Sequence, residues 1–193
     1  MTFLSVEILF LLAASEHSAF NDPEFLLRIK QGDHQAFKQF FETNHTYLFN
    51  FLRQKGASEQ AAEDLIQQAF VMIWEKRSQI DESKSLRSYL FKIAHSRLLN
   101  LFRDNAKFVE ESAIPEQAEP EQADAEDAKQ LNKAIERAIG EMPEKRQNVF
   151  RLCFLQEFTY KEAAEVLDVS AKTIENHMAL ALKDLREALK GYR

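Results

Sequence analysis

The 193-residue chain has one cysteine, Cys153, four glycines and four prolines. One thiol builds neither a disulfide framework nor a Cys-rich zinc site. A reducing compartment is therefore expected, with Cys153 as a small core residue. So few turn formers argue against a sheet sandwich, which needs a turn about every 8–12 residues. No glycine-rich phosphate loop is present, which excludes Rossmann and P-loop chemistry. The histidines (His17, His34, His45, His95, His177) show no HExxH spacing, and there is no GxSxG elbow. The sequence thus predicts no catalytic residues, no metal and no cofactor. The N-terminal apolar run, Ile8 to Ala14, is far short of the ~20 residues a membrane span requires. It lacks a basic leader and abuts Glu7, so it reads as a helical extension, with a packing or partner helix and an export signal as alternatives. The chain is expected not to be an integral membrane protein and to be cytoplasmic. Its net charge of −6, taken alone, argues against a nucleic-acid partner.

What is abundant is helical periodicity. Apolar residues recur every three or four positions from Pro23 to Lys107. Phe25, Leu26 and Ile29 form one stripe, and Phe37, Phe40, Phe41, Tyr47, Leu48, Phe51 and Leu52 the next. Two more run from Ala62 to Trp74 and from Leu86 to Leu101. Pro23 marks a helix start, Gly32 and Gly56 mark stops, and Ser58 reads as an N-cap. Four or so helices on a Phe-rich core are expected. Residues 109–128 then carry eight acids, no base, two prolines and no aromatic. Such a stretch buries too little apolar area to offset its chain entropy, so a flexible linker is expected. Periodicity returns from Lys129. Pro143 closes one helix and opens another that carries Val149, Leu152, Cys153 and Leu155. Thr159-Tyr-Lys-Glu162 looks like a capping start, Asp168-Val-Ser170 is a short turn, and Ser170 or Thr173 opens the last helix. Two helices joined by so short a turn make a helix-turn-helix. The predicted fold is all-α: two small helical domains joined by a flexible acidic linker.

The segment Thr159 to His177, continued by Ala181 to Arg186, closely resembles the helix-turn-helix of region 4 of sigma-70 family factors. Ala62 to Trp74 and Ser85 to Asn100 resemble regions 2.2 and 2.3–2.4. The blocks come in family order over about residues 22–192, with no region 3 between them, as in the extracytoplasmic-function (ECF) subfamily. The resemblance implies sigma region 2 at 21–108, region 4 at 129–193, and an N-terminal extension, residues 1–20, without a counterpart. The family often has Gly where Asp168 stands. Asp tolerates the left-handed backbone, so the turn is expected to survive.

The resemblance implies that the helix carrying Asp64, Gln67, Gln68, Phe70 and Trp74 docks on core RNA polymerase. Asp64 and Gln67 share a face, while Trp74 reads as either core or an interface anchor. Between Lys76 and Lys107 eight bases face three acids, with Tyr89, Phe91 and Phe102 interleaved. Basic groups attract phosphates, and aromatic faces stack on unpaired bases. Here the resemblance implies recognition and melting of the −10 element. The candidates are Lys84, Arg87, Tyr89, Lys92, Arg97, Asn100 and Arg103, with the loop Asp81 to Lys84 helping to hold a flipped base. Tyr89 and Phe102 read equally well as core. In the last helix Lys172, Thr173, Glu175, Asn176 and His177 are placed to enter the major groove at the −35 element. Ser170 is a candidate there or a cap, and Arg151 and Lys161 are candidate phosphate contacts or lone surface charges.

The implied function is a non-enzymatic initiation factor. Its partners are core RNA polymerase, promoter DNA and an anti-sigma factor. A stand-alone helix-turn-helix regulator would explain the C-terminal half only. A helical adaptor would leave the basic segment unexplained. The net charge also divides unevenly: residues 1–20 carry −2, 21–108 carry +2, 109–128 carry −8 and 129–193 carry +2. The acidity lies mostly in the tether.

Overall fold

A computed structural model describes residues 22–106 and 126–190. The extension and most of the acidic stretch lie outside them. The described residues form eight α-helices, with no strand among them. They are α1 (Pro23–Lys30), α2 (His34–Gln54), α3 (Glu59–Glu75) and α4 (Leu86–Ala106), then α5 (Glu126–Gly140), α6 (Glu144–Phe150), α7 (Tyr160–Leu167) and α8 (Ala171–Ala188). The chain divides into two units, the first holding α1 to α4 and the second most of the rest.

In the first unit the helix ends fall at the residues whose chemistry marks them. Pro23 opens α1 behind Asp22, whose side chain accepts from Glu24 N. Asp33 caps α2 through Gln35 N and Ala36 N, and Ser58 caps α3 through Ala61 N. Such caps satisfy backbone donors that a helix N-terminus leaves unpaired. Gly32 and Gly56 stand at φ +87° and +92°, where a side chain would be strained. Helices α2, α3 and α4 pack pairwise, and α1 lies against α2. Leu26, Ile29, Phe40, Leu48, Leu52, Ile66, Ile73, Leu90 and Leu98 fill their interior. The rings interlock: Phe40 meets Phe70 edge-on at 5.7 Å, and Phe51 meets Phe91 at 5.4 Å.

In the second unit α5 and α6 pack on α8 around Ile139, Phe150, Leu152, Ile174 and Met178. An ion pair between Arg146 and Asp184 ties α6 to α8. Helix α5 starts at Glu126, three residues inside the stretch expected to be linker. The helix through Leu155 is not one regular element: after Phe150 it widens into a π-helical turn, Arg151–Leu155. A capping box opens α7, with Glu162 N donating to Thr159 Oγ1 at 3.2 Å and Thr159 N to Glu162 Oε2 at 2.9 Å. Asp168 ends it at φ 55°, ψ 47°, the left-handed turn expected of it. Glu157 shares that conformation, φ 55°, which nothing in its residue type announced.

Candidate functional site

Three surfaces carry the candidate residues, each on its own helix. The first lies between α2 and α3. Here α3 buries Leu65, Ile66, Ala69 and Phe70 and leaves Asp64, Gln67 and Gln68 exposed. Gln67, Phe70 and Trp74 line an open groove of about 590 Å³, with Phe37 and Phe41 opposite on α2. Trp74 is half-buried. Its ring lies 4.7 Å from His34 and 4.8 Å from Phe37, with the Arg77 guanidinium 4.4 Å over it. Phe41 and Val71 stay 37% and 49% exposed, so the groove is an uncovered apolar surface. At one rim His45 Nε2 meets Glu63 Oε2 at 3.1 Å. Asp64 and Gln68 lie off the groove. Gln68 Oε1 accepts from Arg97 Nη1 at 2.7 Å, a link between α3 and α4.

Sequence reasoning missed Phe41, Val71 and the His45–Glu63 pair. Phe41 belonged to an expected core stripe. Its i, i+4 spacing from Phe37 is that of an ordinary buried face, so the sequence carried no signal that Phe41 would stay exposed.

The second surface is α4. Its N-terminal half is mostly core: Leu86, Leu90, Phe91 and Ala94 are buried. Arg87, expected to contact DNA, is buried as well. Its Nε donates to Asn44 Oδ1 at 3.1 Å, and its guanidinium lies 5.3 Å from the Tyr47 ring and 5.4 Å from the Phe91 ring. The expectation is corrected: Arg87 is held inside between α2 and α4 and offers no charge to a phosphate. The physical reason is spacing. Arg87 lies four residues before Phe91 and three before Leu90, on their face. Phe91 does not reach solvent either. By contrast Tyr89 and Phe102 are exposed, 42% and 38%, alongside exposed Lys84, Asn100 and Arg103, with Lys92 and Arg97 half-buried. Arg103 Nη2 donates to Asn100 Oδ1 at 3.0 Å. The Phe102 ring lies beside Gly56, where a Cβ would stand at an ordinary contact distance of 3.7 Å from its Cζ. Before α4, Asp81 Oδ1 accepts from Ser83 Oγ at 2.6 Å and Ser83 N at 3.0 Å. Those bonds, and Lys84 nearby, hold the Asp81 carboxyl below its ordinary range.

The third surface is the start of α8. Ser170 caps it, accepting from Thr173 N at 3.1 Å, and its hydroxyl lies 2.8 Å from that of Thr173. Lys172, Glu175 and Asn176 are exposed while Ile174 and Met178 are buried. The cap therefore orients three polar side chains outward from a fixed helix. Lys172 Nζ meets Glu175 Oε2 at 2.8 Å. His177 is half-buried and Lys161 exposed, while Arg151 sits half-buried at the π-helical turn. Among the described residues no group of histidines, cysteines and carboxylates could hold a metal ion, and no helix is long and apolar enough to cross a membrane.

These surfaces sit within two matched segments. The family model for sigma-70 region 2 matches residues 40–108, and that for sigma-70 region 4 matches residues 132–185. Together they cover well over half of the chain. The chain belongs to the sigma-70 family, in its ECF branch. It is 29% identical over 157 residues to the ECF RNA polymerase sigma factor RpoE of Cereibacter sphaeroides, covering 80% of this chain and 87% of that protein. Its fold is shared by CnrH, solved in complex with the cytosolic domain of CnrY (TM-score 0.61, 21% identity, 89% of this chain and 98% of that one). It is shared also by the sigma factor RpoE of Bartonella quintana, solved with the anti-sigma factor NepR (TM-score 0.59, 22% identity, 81% and 98%). This sigma factor is accordingly a DNA-binding transcription initiation factor that associates with RNA polymerase.

Proposed function

We propose that the two units divide promoter recognition between them, with region 2 at residues 21–108 and region 4 at 129–193. Core polymerase docks on α3 and the groove beside it, through Asp64, Gln67, Gln68, Phe70 and Trp74. The −10 element is read and melted on α4, where Tyr89 offers a stacking face. Lys84, Lys92, Arg97, Asn100 and Arg103 supply donors there. The −35 element takes the start of α8, with Glu175 and Asn176 on base edges, Lys172 on a guanine edge or a phosphate, Thr173 and His177 beside them, and Arg151 and Lys161 on phosphates. Ser170 serves as the cap.

The observation that carries this reading is the outward placement of Tyr89 and Phe102 on a basic helix. An aromatic face that reaches solvent beside basic groups is a platform on which an unpaired base can stack. An anti-sigma factor is a further partner, since a solved protein of the same fold was captured with one. Core polymerase and promoter DNA place the working protein in the cytoplasm.

The test is transcription from a promoter fragment by core polymerase with the purified chain. Permanganate should detect unpaired thymines around −10, and Tyr89→Ala should abolish that signal while core polymerase still co-purifies. Permanganate reactivity undiminished by Tyr89→Ala refutes the −10 assignment.

A further inference from the structure

Trp74 is the penultimate residue of α3 and lines the groove between α2 and α3. A half-buried ring at a helix end, beside open space, has room to change rotamer. Its neighbours on α2 are His34 and Phe37, the first exposed and the second half-buried. The third contact comes from the turn that follows α3. Arg77 lays its guanidinium 4.4 Å over the indole ring, and its Nη1 donates to Trp74 O at 2.7 Å. One side chain thus grips both the ring and the backbone of the same residue. Arg77 is itself well seated. It opens the turn Arg77–Gln79, against which α1 packs, and its Nε lies 3.4 Å from where a Cβ on Gly32 would stand. It is half-buried, and among the described residues it has no carboxylate partner. An ion pair therefore does not account for its placement; the charge lies on the ring instead. A guanidinium stacks flat on an indole and is attracted to its π face, more strongly where water is excluded.

We propose that Arg77 is a positioning residue for polymerase docking, which fixes the Trp74 indole as a ready-made wall of the α2–α3 groove. The docking role rests on the polymerase surface proposed above; the grip on the indole does not. A partner that meets a ring already in place does not have to order it on binding. The loss of rotamer freedom in one such side chain weakens association about two- to ten-fold. Arg77 acts through the ring, so its contribution exists only while the indole is there.

Trp74 is the only tryptophan, so the time-resolved anisotropy of its emission reports the grip without polymerase. The full-length chain is compared with Arg77→Met, which keeps an aliphatic cover and removes the charge and the flat face. In the variant the fast local component of the anisotropy decay should grow, and core polymerase should bind about two- to ten-fold more weakly. Arg77→Lys keeps a charge near the end of α3 without the flat face, and should fall between the two in both readouts. If Arg77→Met does not fold, Arg77→Lys against the unaltered chain carries the same comparison. In a Trp74→Leu background Arg77→Met should add nothing further to the loss of polymerase affinity. An anisotropy decay unchanged by Arg77→Met and Arg77→Lys overturns the grip. A loosened indole with unchanged polymerase affinity overturns the positioning role, as does an undiminished effect of Arg77→Met in the Trp74→Leu background. Polymerase affinity unchanged by Trp74→Leu alone refutes instead the docking of polymerase on Trp74, and the positioning role with it.

Discussion

The buried Arg87 gives the sharpest test of the fold. Asn44 is 1% exposed and Arg87 4%, so the bond between them is shielded from solvent. Asn44→Ala removes the acceptor of Arg87 Nε and also the donor that Asn44 Nδ2 supplies to Phe40 O at 2.8 Å. A hydrogen bond to a charged group is worth about 1.5–3 kcal/mol and a neutral one about 0.5–1.5 kcal/mol. The substitution should therefore cost about 3 kcal/mol, a large share of a small domain's stability. Urea unfolding followed by Trp74 emission reads the first unit alone, because the only tryptophan lies there. With a urea dependence of about 1–3 kcal/mol per molar, the midpoint should fall by about 1–3 M. Asn44→Leu/Arg87→Met replaces both partners with apolar groups and no longer strands a charge. It should recover much of the loss, since swapping both members of a buried polar pair is far cheaper than removing one. A loss below about 1 kcal/mol for Asn44→Ala, or a double variant as unstable as the sum of its parts, would refute this account. It would also revive Arg87 as a residue facing DNA.

Other consequences can be checked separately. Glu162→Ala opens the capping box at α7 and should lower the stability of the second unit by about 1 kcal/mol, read as a lower melting temperature by circular dichroism. Burial, with a smaller contribution from Glu162, pushes the Cys153 thiol from 9.0 up to about 12. Iodoacetamide should therefore leave the native protein unlabelled at pH 8 and label it rapidly in urea. The linked stability is fully present below pH 9 and falls as pH rises towards 12, because the unfolded thiol ionises first. Urea midpoints that do not move over that range would contradict it. In the holoenzyme, Asn176→Ala should lose discrimination at one −35 base, about 1–3 kcal/mol, in a competition assay against single-base promoter variants.

Most of the architecture was legible because the chain states its helix ends in chemistry. Asp22-Pro23, Ser58 and Thr159 with Glu162 each place a donor or acceptor where a helix terminus needs one, and Gly32 and Gly56 supply the positive φ. Asp168 was legible for the same reason, as a short polar side chain that tolerates the left-handed turn. What periodicity could not tell was which side of an apolar helix faces a neighbour. On α4 the basic count suggested a DNA-facing helix throughout. Yet α4 packs against both α2 and α3, so a charge such as Arg87 is taken inside along with its stripe. On α2 the run of phenylalanines hid an exposed one, Phe41. The π-helical turn at Arg151–Leu155 was illegible too, because one extra residue per turn leaves no mark in composition.

The same surfaces bear on the charge balance. The folded segments are only mildly basic, +2 in each, and part of that charge is engaged within the protein. Lys172 holds Glu175, and Arg97 is turned to Gln68. Each phosphate contact releases counterions and adds to the salt dependence of binding, so few free cations mean a shallow slope. The isolated protein should bind promoter fragments weakly, with a slope nearer −2 than −6, in units of about −0.9 per neutralised phosphate. On the proposed division of promoter recognition, a holoenzyme holding both units against DNA at once would gain through effective concentration what neither unit has alone. Glu175→Gln frees Lys172 for a phosphate and should steepen the free-protein slope by about one contact. A slope unchanged by that substitution would mean that the ion pair already opens when DNA arrives.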